Sequence, residues 1–399
     1  MDWLDRFRLL FVLTYAGFLG NIAVIYYLSR GLSYGEIGIA TAVSGLGFFL
    51  FEVPTGVVGD KVSRKTSVLI GLSIIPLATF LLLFLRSFWV LMVSQLLGTL
   101  GASFVSGSFQ AWLFDNLRAE NREGEFKEIW RSAQKLSLVV ASTTTILGGF
   151  MAQFLGFEMA ILLTVFLQVV QVPLALGIPE MGFSRPEHPY TVHVLGAWQE
   201  LRKPEIAWLI TYLLSVTLAL NQFRKFFEPY LGNVLAVYLG MSIMGTLGIL
   251  GIVEVLIRTV PRYLGVALKG RAGKAFHEAA PLGVPLATVL SVLYPNPVFI
   301  VLLGVLATLS ASAFTFNVSV EFQRRVPSEK RATILSLRNM VMALITSIFY
   351  VVYGFMTDFL GLSRARLVFG VGFLLLGAVF KLASLGPLRE PLELRHLAD

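Results

Sequence analysis

Apolar positions gather into long unbroken blocks separated by short polar turns, and each block reaches the roughly 20 residues that a helix needs to cross a bilayer. The pattern predicts twelve spans, near 8–28, 36–58, 65–86, 88–114, 132–154 and 157–177, then 206–230, 240–264, 273–294, 297–320, 332–357 and 365–385. The fourth block is long for a simple crossing. Most connections are short. The exception runs from Ile178 to Glu205 with Pro179, Pro186, Pro189 and Pro204, and its later part, Val192 to Leu201, reads as a short surface helix. It divides the spans six and six. The expected organisation is therefore 1–177 as an N-terminal six-helix bundle, 178–205 as a linker, and 206–399 as a C-terminal six-helix bundle with a short tail.

Composition agrees with the pattern. Hydrophobic residues make up 56% of the 399 and charged residues 14%, against roughly a quarter charged in a soluble domain. The absence of cysteine excludes disulfides and thiolate chemistry. His188, His193, His277 and His396 have no metal-ligand spacing, so neither metal nor cofactor is expected. No nucleophile–base pair stands out either, which argues against an enzyme. The net charge of +8 is read by its distribution, and not as a nucleic-acid footprint. Lys61, Arg64, Lys65, Arg118, Arg122, Lys127, Arg202, Lys203, Lys269, Arg271, Lys274, Arg324, Arg325, Lys330 and Arg331 would share one side, leaving Arg30, Arg86, Arg364 and Arg366 in loops on the other. Under the positive-inside rule both termini and the linker face the cytoplasm, in a multi-pass protein of the cytoplasmic membrane.

The two halves echo each other. Phe51-Glu-Val returns as Val253-Glu-Val, Leu100-Gly-Ala-Ser-Phe as Ser310-Ala-Ser-Ala-Phe, and Asn21 as Asn221. Internal repeats of this kind mark carriers that rock one half against the other around a midplane site.

After the second span comes Gly56-Val-Val-Gly-Asp60-Lys61-Val-Ser63-Arg64-Lys65. It resembles the loop signature of the major facilitator superfamily, with Ser63 in place of the usual second glycine. The resemblance covers essentially the whole chain and implies an all-α membrane fold of twelve helices in two pseudo-symmetric six-helix bundles. It also implies a monomeric secondary transporter working by alternating access. Gly56 is expected to let span 2 approach a neighbour, and Asp60 to accept from a helix N-terminus. The resemblance supplies that partner as the start of span 11, Arg331-Ala-Thr-Ile, and makes Gly56, Asp60, Lys61, Arg64 and Lys65 a cytoplasmic gate. The alternative is that the three cations only set topology. The glycine- and proline-rich motif that drug–proton antiporters of the family carry in span 5 is reduced here to Gly148-Gly149 behind a threonine run.

Ionisable groups at membrane depth are functional candidates because of their cost there. Glu52 lies roughly 12 Å above Asp60 along the helix and has no basic neighbour one turn away, which suits a proton carrier. Glu254 is its repeat counterpart, with Arg258 one turn on to neutralise it. Asn221, Arg224 and Glu228 crowd span 7; with Asn21 and Arg258 they are the candidate lining of a substrate cavity, and Arg224 and Glu228 stand at i,i+4. Asp115 and Glu321, and Arg131, Lys135 and Arg338, are candidates for acid–base contacts at the cytoplasmic ends. The leading functional expectation is proton-coupled export of amphipathic compounds, with protons, a small-molecule substrate and membrane lipids as partners. Proton-coupled uptake of an organic anion is the alternative, and a gradient-independent scramblase or receptor the alternative of another class.

Overall fold

The computed structural model describes residues 2–20, 22–183, 201–268, 270–326 and 331–383, with 53 and 331–333 described by backbone only. Asn21, His188, His193, Lys269, Lys330 and His396 lie outside the described residues, as do the predicted surface helix up to residue 200 and the side chain of Arg331. The described chain is helix upon helix with short turns. Among the described residues, eleven helices are long and apolar enough to cross a membrane. Two shorter helices, Trp3–Thr14 and Ala23–Ser29, stand where the first span is expected. The fold is an all-α, multi-pass membrane fold.

Local sequence accounts for where the spans begin. Ser33 opens span 2 (Tyr34–Lys61) with a capping box completed by Glu36. Ser63 caps span 3 (Arg64–Leu81), and Asn296 caps span 10 (Pro297–Arg325), where Pro297 occupies a first-turn position that has no use for an N–H. Span 4 (Phe88–Ala119) has 32 residues, about 48 Å at the helical rise. That exceeds a hydrocarbon core of roughly 30 Å, as the length of its apolar block suggested.

The chain divides into two compact units. The first holds residues 1–188 together with 244–252, and the second 189–243 and 253–399. In the first unit, spans 3 and 4 approach through glycine: a Cβ on Gly71 would lie 2.5 Å from the Gly101 carbonyl oxygen, the kind of backbone contact that lipid-embedded helices rely on. Phe7, Phe11, Phe109 and Trp112 build an aromatic core at one end of this unit. The segment 244–252 joins it through the Gly248 N–H, which donates to Gln153 Oε1 at 3.0 Å. In the second unit, Gly377 of span 12 (Leu362–Ala383) backs closely onto the Pro281 carbonyl of span 9 (Gly270–Leu293).

Three spans depart from the uniform helices that periodicity predicts. Span 1 opens between Tyr15 and Ile22. Span 7 ends at Arg224, and a new helix, Phe227–Leu239, starts after Phe226 in a left-handed conformation (φ 58°). Span 8 is α-helical over Leu247–Glu254, π-helical over Val255–Thr259 and α-helical again over Val260–Ala267. Apolar runs do not report such breaks, because a break changes backbone hydrogen bonding and not side-chain polarity.

Candidate functional site

The end of span 7 leaves its last carbonyls without intrahelical donors, and two guanidinium groups supply them. Arg366 Nη1 donates to the Phe223 carbonyl at 3.1 Å, and Arg258 Nη2 to the Arg224 carbonyl at 3.2 Å. Cations at a helix C-terminus also oppose the negative end of the dipole. Arg258 does more. Its Nη2 donates to Glu228 Oε1 at 2.8 Å and its Nε lies 2.8 Å from Glu254 Oε1. One guanidinium thus serves two carboxylates, Glu228 just after the break in span 7 and Glu254 just before the π-helical segment of span 8. The acid side chains are 6% and 12% exposed, whereas that of Arg258 is 33% exposed. The two acids are thus the more deeply buried partners.

The i,i+4 partnership expected between Arg224 and Glu228 does not form. The left-handed turn at Phe226 interrupts the helix between them, so one-turn spacing no longer places them on a common face. Glu228 turns to Arg258, and Arg224 Nη2 reaches only the Thr308 hydroxyl at 3.4 Å, with Arg224 Nε buried and unpartnered. The Lys225 ammonium sits over the rings of Phe226 and Tyr350, at 5.1 and 4.8 Å. Asn221 lies one turn before the break, its carbonyl accepting from the Lys225 N–H at 2.7 Å.

Arg366 corrects another expectation. It is not a loop cation: it lies inside span 12 and is 0% exposed. The rings of Tyr230, Phe223 and Phe227 face its guanidinium at 4.4, 5.5 and 5.9 Å. The signal was present in the helical period. Arg366, Gly370, Gly377 and Phe380 fall on one buried stripe, which the adjacent Ser363-Arg364 obscured by reading as a polar turn.

The first unit treats its broken helix differently. The Gly17 N–H is accepted by Thr144 Oγ1 at 3.3 Å and the Phe18 N–H by Thr164 Oγ1 at 3.0 Å, while Gln171 Nε2 donates to the Leu13 carbonyl at 3.1 Å. Gly148 backs directly onto the Phe18 carbonyl, where a side chain would collide. Thr144 and Gly148 of span 5 therefore have a place in the fold, seating the opening in span 1, while Gly149 backs onto the Leu247 carbonyl. Glu52 is exposed on span 2, and its carboxylate has no hydrogen bond or ion pair with any described residue.

In the signature loop, Asp60 pairs with Arg64, whose Nε lies 4.0 Å from Asp115 Oδ2. Lys65 Nζ donates to the carbonyls of Leu176 and Ile178 at 2.9 and 2.7 Å, closing the end of span 6 (Phe157–Leu176). Glu180 accepts from Ser63 Oγ at 2.6 Å and from the Lys65 N–H at 3.0 Å, an anion at the start of span 3. Trp112 and Asn116 both donate to the Pro179 carbonyl at 2.9 Å. Gly56 does not make the close approach expected of it, since a Cβ there meets nothing within 4 Å. Gly59, one turn on, backs onto Ser108 of span 4 instead. Lys61 is exposed at the helix end. Of the acids near the span ends, Glu321 binds Arg325 at 2.6 Å, and Arg338 lies over the Phe322 ring at 4.9 Å. Among the described residues, no group of three or more histidine and acidic side chains is placed to hold a metal ion.

The Major Facilitator Superfamily model matches residues 8–350. Among curated proteins, the uncharacterized MFS-type transporter YxaM of Bacillus subtilis is 28% identical over 120 residues, 30% of this chain and 29% of that protein. An uncharacterized transporter of Buchnera aphidicola is 28% identical over 134 residues, 34% of this chain and 33% of that protein. The chain thus spans about a third of the length of these curated relatives. Among solved structures, the nucleoside transporter NupG is 15% identical with a TM-score of 0.79, over 95% of this chain and 98% of that one. A POT family transporter in complex with 5-aminolevulinic acid is 12% identical with a TM-score of 0.69, over 97% and 96%. At such identities the structures show the fold alone.

Proposed function

The chain belongs to the major facilitator superfamily, whose members here are membrane transporters and not enzymes, and from that premise we propose a proton-coupled secondary transporter of a small organic solute. It works by alternating access in the cytoplasmic membrane, with 1–177 and 206–399 as its two halves, 178–205 as the linker, and both termini inside. The sharing of Arg258 between Glu228 and Glu254 carries the proposal. A proton on Glu254 neutralises one of the two acids and leaves Arg258 to Glu228 and to the solute. Its loss returns Arg258 to both. Such a two-position cation is an intramembrane switch of the kind that makes ionisable groups worth their cost in a bilayer. Glu52, Asn21 and Asn221 remain candidates for the same pathway, and the signature loop for the gate.

Two directions suit a coupled carrier: export of amphipathic compounds against protons, or uptake of an organic anion with them. The second gains from the cluster itself, where among the described residues Arg224, Lys225 and Arg258 stand near Glu228 and Glu254. The test is luminal pH in liposomes challenged with lipophilic cations, organic anions and nucleosides, comparing wild type with Glu254→Gln. Solute-dependent proton movement that the variant loses supports the proposal. Equal movement in the variant removes Glu254 from the coupling.

A further inference from the structure

The reading of the second unit's cluster as the coupled site leaves one group unexplained. Both carboxylates are committed to Arg258. Arg224 forms no ion pair with a described residue, and its one side-chain hydrogen bond goes to the neutral Thr308 hydroxyl at 3.4 Å. A guanidinium in this position, on a membrane span and largely out of water, is costly without an anion. It is not shut away, however: Arg224 keeps partial exposure, as Arg258 does. Arg258, Arg262 and Tyr350 are its charged and titratable neighbours besides Glu254, so the local balance is positive.

We propose that Arg224 binds the anionic group, a carboxylate or phosphate, of the transported solute, oriented by Thr308 and flanked by Arg258. This rests on the carrier reading and names its substrate class. A guanidinium offers parallel N–H donors that match a carboxylate or phosphate edge. The proton and the anion then favour each other. Protonating Glu254, which faces Arg258, Arg224 and Glu228, raises the cluster's charge by one, so the anion binds more tightly, and by reciprocity the bound anion favours the proton. Ligands that favour each other travel together, so the geometry points to symport.

The purified protein is melted with benzoate, inorganic phosphate and neutral benzamide, at pH 5.5 and 7.5. The inference expects stabilisation by the anions and not by benzamide, larger at pH 5.5. It expects an affinity weaker by roughly tenfold or more in Arg224→Gln, with partial retention in Arg224→Lys. Arg122→Gln, on an exposed loop of the other unit, responds as wild type does. Should Arg224→Gln fail to fold, Thr308→Val weakens anion binding on its own. Equal stabilisation by benzamide and benzoate, no stabilisation by any soluble anion, or an undiminished response in Arg224→Gln overturns the inference. Stabilisation only by phosphatidylglycerol micelles assigns Arg224 to a lipid headgroup and overturns it too. Failure of the carrier reading looks different: anion stabilisation through Arg224 persists while liposomes show no proton movement.

Discussion

Spans 1 and 7 occupy the same place in the two halves of the repeat, and both are broken, but the breaks are mended in different currencies. At span 1 the freed N–H groups of Gly17 and Phe18 find the hydroxyls of Thr144 and Thr164. At span 7 the freed carbonyls of Phe223 and Arg224 find the guanidinium groups of Arg366 and Arg258. Hydroxyls satisfy a broken helix without adding charge. Guanidinium groups bring a charge that the bilayer penalises, and it must be matched by buried acids, by aromatic faces or by a ligand. Arg366 is matched by three rings, Arg258 by two carboxylates, and Arg224 by neither. The repeat acids diverge in the same sense, Glu52 exposed and alone, Glu254 held by Arg258. Both units thus interrupt a helix, but only the break in the second unit is met by buried charge.

Substitutions at the two breaks separate the charged one from the neutral one. Arg258→Gln has the largest effect, since it strands two acids and one carbonyl. The expected loss is about 3 kcal/mol, the lower end for a buried pair because Arg258 is partly open, read as a lower melting temperature together with abolished coupled transport. Thr164→Val comes next. It leaves the Phe18 N–H unsatisfied at about 1–3 kcal/mol, and Thr164→Ser recovers most of that in the same melting measurement. If Thr164→Val abolished proton coupling in a protein that still melts cooperatively, the neutral break would be as functional as the charged one and the contrast would fail. Glu52→Gln is expected to slow solute flux less than Glu254→Gln does, measured side by side in liposomes; the reverse order would return the coupling to the first unit. Lys65→Met is the mildest, costing under about 1 kcal/mol as the Leu176 and Ile178 carbonyls turn to water, seen as a small drop in melting temperature.

Much of this was legible beforehand, for reasons that lie in particular residues. The spans follow from apolar runs, and the signature loop from Gly56 to Lys65 identifies the family by spacing. Pairing one turn apart was legible too, as with Glu254 and Arg258, which stay together although the turn between them is π-helical. Contacts across a break were not. The separation of Arg224 from Glu228 depends on one residue, Phe226, adopting a left-handed turn that no glycine or asparagine announces. Long-range acceptors such as Thr144, Thr164 and Glu180 carry no local pattern, because their partners lie more than a hundred residues away. Arg366 was hidden by its neighbours, since a buried arginine at a span end reads as a topogenic charge until its aromatic surroundings are known.

The most direct test of the central claim counts protons. Binding of benzoate to the detergent-solubilised protein is followed calorimetrically near neutral pH in buffers of different ionisation enthalpy, for wild type and Glu254→Gln. Linkage through the Arg258 cluster predicts net proton uptake, up to about one per anion bound, vanishing in the variant. Anion binding with no proton uptake in wild type, or with uptake undiminished in Glu254→Gln, would contradict the assignment of the second unit's cluster as the place where solute and proton meet.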